Sequence, residues 1–472
     1  MNVPSASPAS RAPWVLALDV GSSSVRAQVY DARGMALGPA SFAQVRVRWR
    51  TQPVGAMEAD AGALVAAALR ALDHAVKAAR AARVEIAAVA LDTFWHGLMG
   101  VAADGRPVTP LHAWGDTRAR QDAARLRERV DAAAVHARTG CFVHESYPAA
   151  KLVWLRRTAG DSFSRAACWL SIGEHLGERL FGVRRTSCSM ASGTGLLDVA
   201  RCHWDEETLS AAGIRADRLP ELSDEPMAGL EPGLARRWPE LARVPWFPAL
   251  GDGACATLGS GAGRAGTIAL TVGTSAAVRV LREDAVPRVP DGLWLYRLDA
   301  RRTVAGRALS NAGNGFDWLR RTLRLPRADR LETLLAAMED GPPPRLQAVP
   351  ALVGERPPLS ERGEVATLAG MTMDTAPAEL WRAWMDAVAA RVADALAAVE
   401  AEYGRADEIV AGGGALHASE AFRRAVERAV GRPLPLRGDA DETARGAALV
   451  ALERLGARTT HRINPQPDAT DG

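Results

Sequence analysis

Lysine is almost missing from this chain: of 58 basic residues only Lys77 and Lys151 are lysines. A phosphate-binding loop of the Gly-Lys-Ser/Thr kind needs a lysine directly after glycine, and neither lysine follows one, so that nucleotide-binding class is excluded. Cysteine is sparse and unpatterned. Five residues (Cys141, Cys168, Cys188, Cys202 and Cys255) form no Cys-x-x-Cys pair, which points to a reduced, cytoplasmic protein without a zinc site. Long apolar runs are lacking too, because Arg and Asp interrupt every Ala-rich stretch, so no segment suits a membrane span. The first dozen residues have no apolar core and read as a loose tail rather than a secretory signal. A net charge of +3 over 472 residues is too small to mark nucleic acid or acidic lipid as a partner. What is present, 48% hydrophobic and 24% charged residues, is the balance of a globular protein with two or three domains.

The stretch Asp19-Val20-Gly21-Ser22-Ser23-Ser24-Val25-Arg26 lies between a short apolar segment and the alternation Val25, Ala27, Val29. It predicts strand, tight turn, strand. Glycine at the bend lets backbone approach a ligand, and successive N–H groups with Ser hydroxyls suit phosphate oxygens. Asp19 would repel a bare phosphate but suits a hydrated Mg²⁺ carried by one. Taken alone, the stretch reads as an ordinary hairpin with Asp and Ser as turn formers. A second copy changes that. Leu270-Thr271-Val272-Gly273-Thr274-Ser275, followed by Ala276, Ala277, Val278 and Arg279, repeats strand, Gly-hydroxyl-hydroxyl bend, strand. Two such hairpins predict two related domains gripping one nucleotide between them.

Other candidates lie along the chain. A helix is expected over 59–81 and a strand over 84–91, ending in Asp92-Thr93-Phe94-Trp95-His96-Gly97, where α/β proteins place ligands. His96 by itself reads as a surface or satisfied histidine rather than a ligand contact. Asp116, between Trp114 and Arg118, either caps a helix or joins both in lining a polyol pocket. Helices open at Tyr147-Pro148 and at Ser171-Ile172, with Glu174 in the second, and 187–195 is a small-residue loop. Asp252 begins a helix of small residues, whose positive end is expected to lower its pKa and keep it ionised; the alternative is a plain cap. Arg356 in Gly354-Glu355-Arg356 either meets an anion or is solvated. Gly412-Gly413-Gly414 between strand and helix lets a flat base lie on bare backbone. Helices over 378–403 and 441–455 and a polar tail from Arg458 complete the chain.

In this order the motifs resemble the FGGY family of carbohydrate kinases over about residues 13–455, most closely its gluconokinase-type members. The resemblance rests on the two hairpins, Trp114-x-Asp116-x-Arg118, Gly251-Asp252-Gly253-Ala254, Gly313 ahead of Trp318-Leu319, Gly354-Glu355-Arg356, the triple glycine and Glu442-x-x-x-Gly446-Ala447-Ala448. The gluconokinase-type stretches are 94–101, Thr139-Gly140-Cys141, Tyr147-Pro148-x-x-Lys151, Ser171-Ile172-x-Glu174 and 191–196. It implies an α/β fold of two ribonuclease H-like, actin-like ATPase domains, 13–250 and 251–456, with a central interdomain cleft. It further implies Asp252 as catalytic base and Asp19 as the Mg²⁺ carboxylate. Phosphate contacts would come from Ser22, Ser23, Ser24, Arg26, Gly273, Thr274 and Gly313, and the adenosine platform from Gly412, Gly413 and Gly414. Trp95, His96, Trp114, Asp116, Tyr147 and Glu174 would face the sugar.

The implied donor is ATP and the implied acceptor a small sugar or sugar acid, foremost D-gluconate at its 6-hydroxyl, with no nucleic acid or membrane partner and room for a homodimer. Phe94-Trp95 where many members carry Gln-Met, and Gly173 where Lys is frequent, bear on which sugar is taken. The alternatives are a xylulokinase or other FGGY polyol kinase, a ribokinase-type enzyme (which would have only one such anion site), and a non-catalytic ATP-binding sugar sensor.

Overall fold

The computed structural model describes residues 12–284, 287–339, 345–437 and 441–457. The expected N-terminal tail, the Gly341-Pro342-Pro343-Pro344 loop and the tail from Arg458 lie outside them.

The first hairpin forms as its alternation predicts, from β1 (Trp14–Val20) and β2 (Ser24–Tyr30), with β3 (Ala43–Arg46) antiparallel to β2. Helix α1 (Ala61–Ala81) carries the chain back over the sheet. Asp60 caps it by accepting the Ala63 N–H, and Leu64, Ala68, Leu72 and Val76 bury one stripe. Strand β4 (Ile86–Thr93) then runs parallel to β1. It ends two residues later than expected because the ladder continues, setting Asp92 opposite Asp19 and Thr93 opposite Val20. Helices α2 (Pro148–Thr158) and α3 (Ile172–Phe181) follow. The expected 187–195 loop contains a short helix, Cys188–Ser192, because the Ser187 side chain caps it. Strand β5 (Leu250–Gly251) closes the sheet in the order β5-β4-β1-β2-β3 and leads into α4 (Asp252–Thr257).

The second sheet repeats this plan. It contains β6 (Thr267–Val272), β7 (Ala276–Glu283), β8 (Trp294–Arg297), β9 (Arg302–Leu309) and β10 (Glu408–Gly412), in the order β8-β9-β7-β6-β10. In both sheets an antiparallel hairpin carries a further antiparallel strand beside its second strand and a parallel one beside its first. Helices α5 (Gly313–Thr322) and α6 (Pro377–Tyr403) belong to this half, and α6 buries Trp381, Trp384, Val388, Val392 and Leu396 in its core.

The last helix, α7 (Glu442–Arg454), crosses back. Ala444, Ala447, Leu449 and Leu452 join the core of the first sheet. Its approach to α4 depends on glycine, since a Cβ on Gly446 would lie 1.9 Å from the Cys255 carbonyl oxygen. The small residues after Asp252 are therefore a packing surface. The result is a two-domain α/β fold with one core per sheet and a cleft between them.

Candidate active site

Both hairpin bends reach one cavity of about 240 Å³, where Ser22 of the first and Ser275 of the second line the wall together with Asp252. Three carboxyl groups held by strand ends lie together here, Asp252 in the cavity lining and Asp19 and Asp92 buried beside it. Asp19 and Asp92 face each other across β1 and β4, and Asp252 opens α4 directly after β5. Burial, with Asp252 adding to it, pushes Asp19 up to about 6 against a side-chain hydrogen bond from Asp92, and pushes Asp92, where Asp19 and Asp252 add to it, well above its ordinary value. Arg26 partly offsets this, its Nη1 lying 3.6 Å from Asp19 Oδ2. Asp92 is fully buried with Asp19 as its hydrogen-bond partner, and its side-chain oxygens meet no other polar group among the described residues. Paired, under-satisfied carboxylates are hard oxygen donors of the kind a hydrated Mg²⁺ takes, so the residues fit that ion.

Asp252 departs from expectation. A low pKa was expected at a helix start, but α4 has only six residues and burial outweighs it, raising the carboxyl. Arg279, the Gly253 N–H and the Trp95 N–H oppose the rise. A carboxylate of raised pKa is the better proton acceptor. The glycines flanking it answer to Trp95, whose indole lies on the backbone; a Cβ on Gly251 would sit 1.8 Å from that ring and one on Gly253 at 2.7 Å.

The nucleotide-side candidates fall in two groups. In the first bend, the Gly21 N–H donates to the Ser24 carbonyl at 3.0 Å. Ser22 and Ser23 are accessible, whereas the buried Ser24 hydroxyl accepts from Arg26 and Gln44, each at 3.1 Å, and so braces the bend from inside. At the second bend, Gly313 N–H donates to Gly273 O at 2.8 Å and Asn314 N–H to Thr274 O at 3.1 Å. Gly412 pairs with Thr271, and Gly413, at φ 102°, packs on Val272 where a Cβ would meet the carbonyl oxygen at 2.4 Å. Gly273, Thr274, Gly313 and the triple glycine thus form one backbone-rich rim.

The opposite wall is aromatic. Trp95, His96, Trp114 and Tyr147 line it from the first half, as expected, and Trp294 and Tyr296 close it from the second. The Tyr147 and Tyr296 hydroxyls meet at 2.7 Å, and Trp294 stacks on Tyr296 with centroids 4.6 Å apart. Burial pushes His96 down to about 3 and His144 to about 4, so both imidazoles are neutral. Two guanidinium groups, Arg279 and Arg356, complete the lining. Arg356 lies over the Trp114 ring at 5.0 Å.

Two expected sugar contacts are not brought to this wall. Asp116 is buried behind Trp114, where Arg118 and His112 bond its carboxylate and, against the upward push of burial, hold it well below the usual range. It does not cap the following helix either, since that helix begins at Arg120 after Ala119. Glu58, His112 and Asp116 have ligand atoms close enough for a metal ion, but Arg118 already bridges Glu58 and Asp116. Glu174 closes the capping box of α3, accepting the Ser171 N–H and the Thr186 hydroxyl. Sequence reasoning met Asp92 and Arg279 inside motifs without giving either a role, and passed over Trp294 and Tyr296. Strand alternation was the available signal: Arg279 shares a face with Ala277, and Trp294 with Tyr296.

Comparison with known proteins agrees with this geometry. The N-terminal domain model of the FGGY family of carbohydrate kinases matches residues 14–259 and its C-terminal domain model residues 268–453. A gluconokinase of Bacillus subtilis (strain 168) is 25% identical over 387 residues, covering 79% of this chain and 74% of that protein. A glycerol kinase of Rhodospirillum centenum is 30% identical over 403 residues, covering 82% and 78%. In fold, a gluconate kinase from Lactobacillus acidophilus superposes with a TM-score of 0.83 at 23% identity, covering 95% of this chain and 90% of that one. Paired hairpins, a shared cavity and two matched domain models lead to one conclusion: the chain belongs to the FGGY family of carbohydrate kinases.

Proposed function

We propose that this carbohydrate kinase transfers the γ-phosphoryl group of ATP to a hydroxyl of a sugar acid, converting D-gluconate to 6-phosphogluconate. The observation that carries the reading is the single cavity sharing Ser22, Ser275 and Asp252 with an aromatic wall. Similarity to gluconokinases of two Bacillus species supports the choice of acceptor.

Phosphoryl transfer depends on alignment and charge neutralisation, and the residues divide that work. The accessible hydroxyls and N–H groups of the two bends hold phosphate oxygens, and the glycine rim receives the base and sugar of the nucleotide. Asp19 and Asp92 would hold Mg²⁺, which when bound neutralises charge on the phosphate oxygens. Trp95, Trp114 and Tyr147 pack the acceptor's C–H faces and direct one hydroxyl at Asp252. Asp252 takes that hydroxyl's proton as the oxygen bonds to phosphorus, which is why a carboxylate suffices as base. Closure of two domains over the acceptor excludes water and limits ATP hydrolysis.

Coupled ADP release over gluconate, xylulose, ribulose and glycerol tests the reading. Gluconate is expected to give the highest kcat/KM. Preference for xylulose or glycerol would move the assignment to another polyol kinase, consistent with glycerol kinases and an apulose kinase among the relatives. ATP binding with background turnover throughout would replace catalysis by a sensor role.

A further inference from the structure

We propose that Arg279 and Arg356 are specificity-determining residues that restrict the acceptor to polyols bearing a carboxylate. The proposal rests on the kinase reading above and adds which groups select the acceptor's charge.

Ala277 and Arg279 lie on the same face of β7, as strand alternation requires, and both line the cavity. Ala277 contributes only a methyl group, so the guanidinium is the chemical feature of that strand face. Its side-chain hydrogen bond among the described residues is a 3.4 Å contact to Thr271 Oγ1, and no carboxylate lies within ion-pair distance of it. Arg356 arrives from the other direction, on a loop of the second half that lies over Trp114 of the first. That loop is held from behind: Glu355 accepts the Ser310 N–H at 2.9 Å and the Asn311 amide at 2.7 Å, and Asn311 also donates to Gly354 O at 2.6 Å. Arg356 likewise has no carboxylate partner among the described residues.

The lining contains two guanidinium groups and one carboxylate, Asp252, and the two histidines are neutral. Asp252 is the one carboxylate that lining offers them, and neither guanidinium lies within ion-pair distance of it among the described residues. Cations facing a small aromatic cavity are costly unless an anion joins them. A guanidinium fork matches a carboxylate in shape and hydrogen-bonding capacity, which a neutral hydroxyl does not. A site built to pair a charge rejects the analogue that lacks it more strongly than a merely apolar site does.

The test compares D-gluconate with D-gluconamide and D-glucitol, which keep the six-carbon polyol but not the charge. For the wild-type chain, kcat/KM for gluconate is expected to exceed that for gluconamide by ~100-fold. Arg279→Gln and Arg356→Gln are each expected to narrow that ratio to ~10-fold or less, mainly through a raised KM for gluconate. Equal use of acid and amide by the wild type, or an unchanged ratio in both variants, overturns the proposal. Calorimetric titration of the wild type with gluconate and gluconamide keeps the question decidable should a variant fail to fold; equal affinities would sink it. Efficient phosphorylation of neutral polyols alone would leave the kinase reading standing and this proposal refuted, whereas no turnover of any acceptor would refute both.

Discussion

Lys151 Nζ donates to the His96 carbonyl oxygen at 2.9 Å and also to that of Ser146, at 2.5 Å. One buried ammonium therefore ties together two loops of the cavity wall. His96 stands at φ 66°, a left-handed conformation that a non-glycine residue keeps only when its surroundings enforce it. Lys151 is the positioning residue for that loop.

The tie has a pH signature. Burial pushes the Lys151 amine down to about 7, below its unfolded value. The unfolded chain then binds more protons above that pH, so this residue's contribution to stability increases as pH rises. Between pH 7 and about 8.5, before unfolded thiols titrate, wild type should gain up to about 2 kcal/mol relative to Lys151→Met. Denaturant unfolding of both proteins across that window measures the difference. A constant difference would mean the amine is not desolvated as the structure has it.

Asp19 and Asp92 predict competition between protons and metal. With Asp19 raised to about 6 and Asp92 also raised by burial, the free pair takes up protons at higher pH than ordinary carboxylates and loses its metal-binding form as pH falls. The acid limb of kcat/KM should therefore lie higher than for an ordinary carboxylate and move to lower pH as Mg²⁺ is raised, by at most about one pH unit per tenfold increase for each proton displaced. Asp92→Asn should weaken the Mg²⁺ requirement's affinity by ~10-fold or more, seen as a raised Mg²⁺ half-saturation. A limb that ignores Mg²⁺ would remove these carboxylates from the metal role.

What could be read from the sequence was local, and what could not depended on partners far along the chain. The two bends were legible because Gly followed by hydroxyl residues between alternating apolar runs specifies a hairpin within a dozen residues. Their meeting at one cavity follows from the repeated sheet plan, which the second copy already implied. Gly251 and Gly253 were visible as a motif, but the indole that requires them comes from Trp95. Asp116 was visible too, yet its neighbours Glu58 and His112 decide that it serves a buried ion-pair network. The raised pKa of Asp252 escaped for the same reason: the helix end is written in the sequence, but the burial that overrides it is tertiary.

Asp252→Asn separates binding from chemistry. The amide keeps the side chain's shape and still accepts the Gly253 N–H, which now meets Asp252 Oδ1 at 2.8 Å. It cannot take a proton from the acceptor. Turnover should drop by ~10²–10⁴-fold while calorimetric ATP affinity stays within a few-fold of wild type. Activity near the wild-type level would transfer the base role to another group.

Glu355 offers a test of the Arg356 loop that leaves both cavity arginines in place. Its carboxylate sits outside the cavity lining and holds the Ser310 N–H and the Asn311 amide, joining the loop to the end of β9 and the approach to α5. Glu355→Ala leaves those donors unpaired and the loop less restrained, at a cost of about 1–3 kcal/mol. If Arg356 must be held over Trp114 to meet the acceptor, KM for gluconate should rise ~10-fold. The KM for gluconamide should move much less, because the amide makes no charge pair to lose. A loop that mattered only for fold stability would affect acid and amide alike, and would lower the melting temperature without changing their ratio.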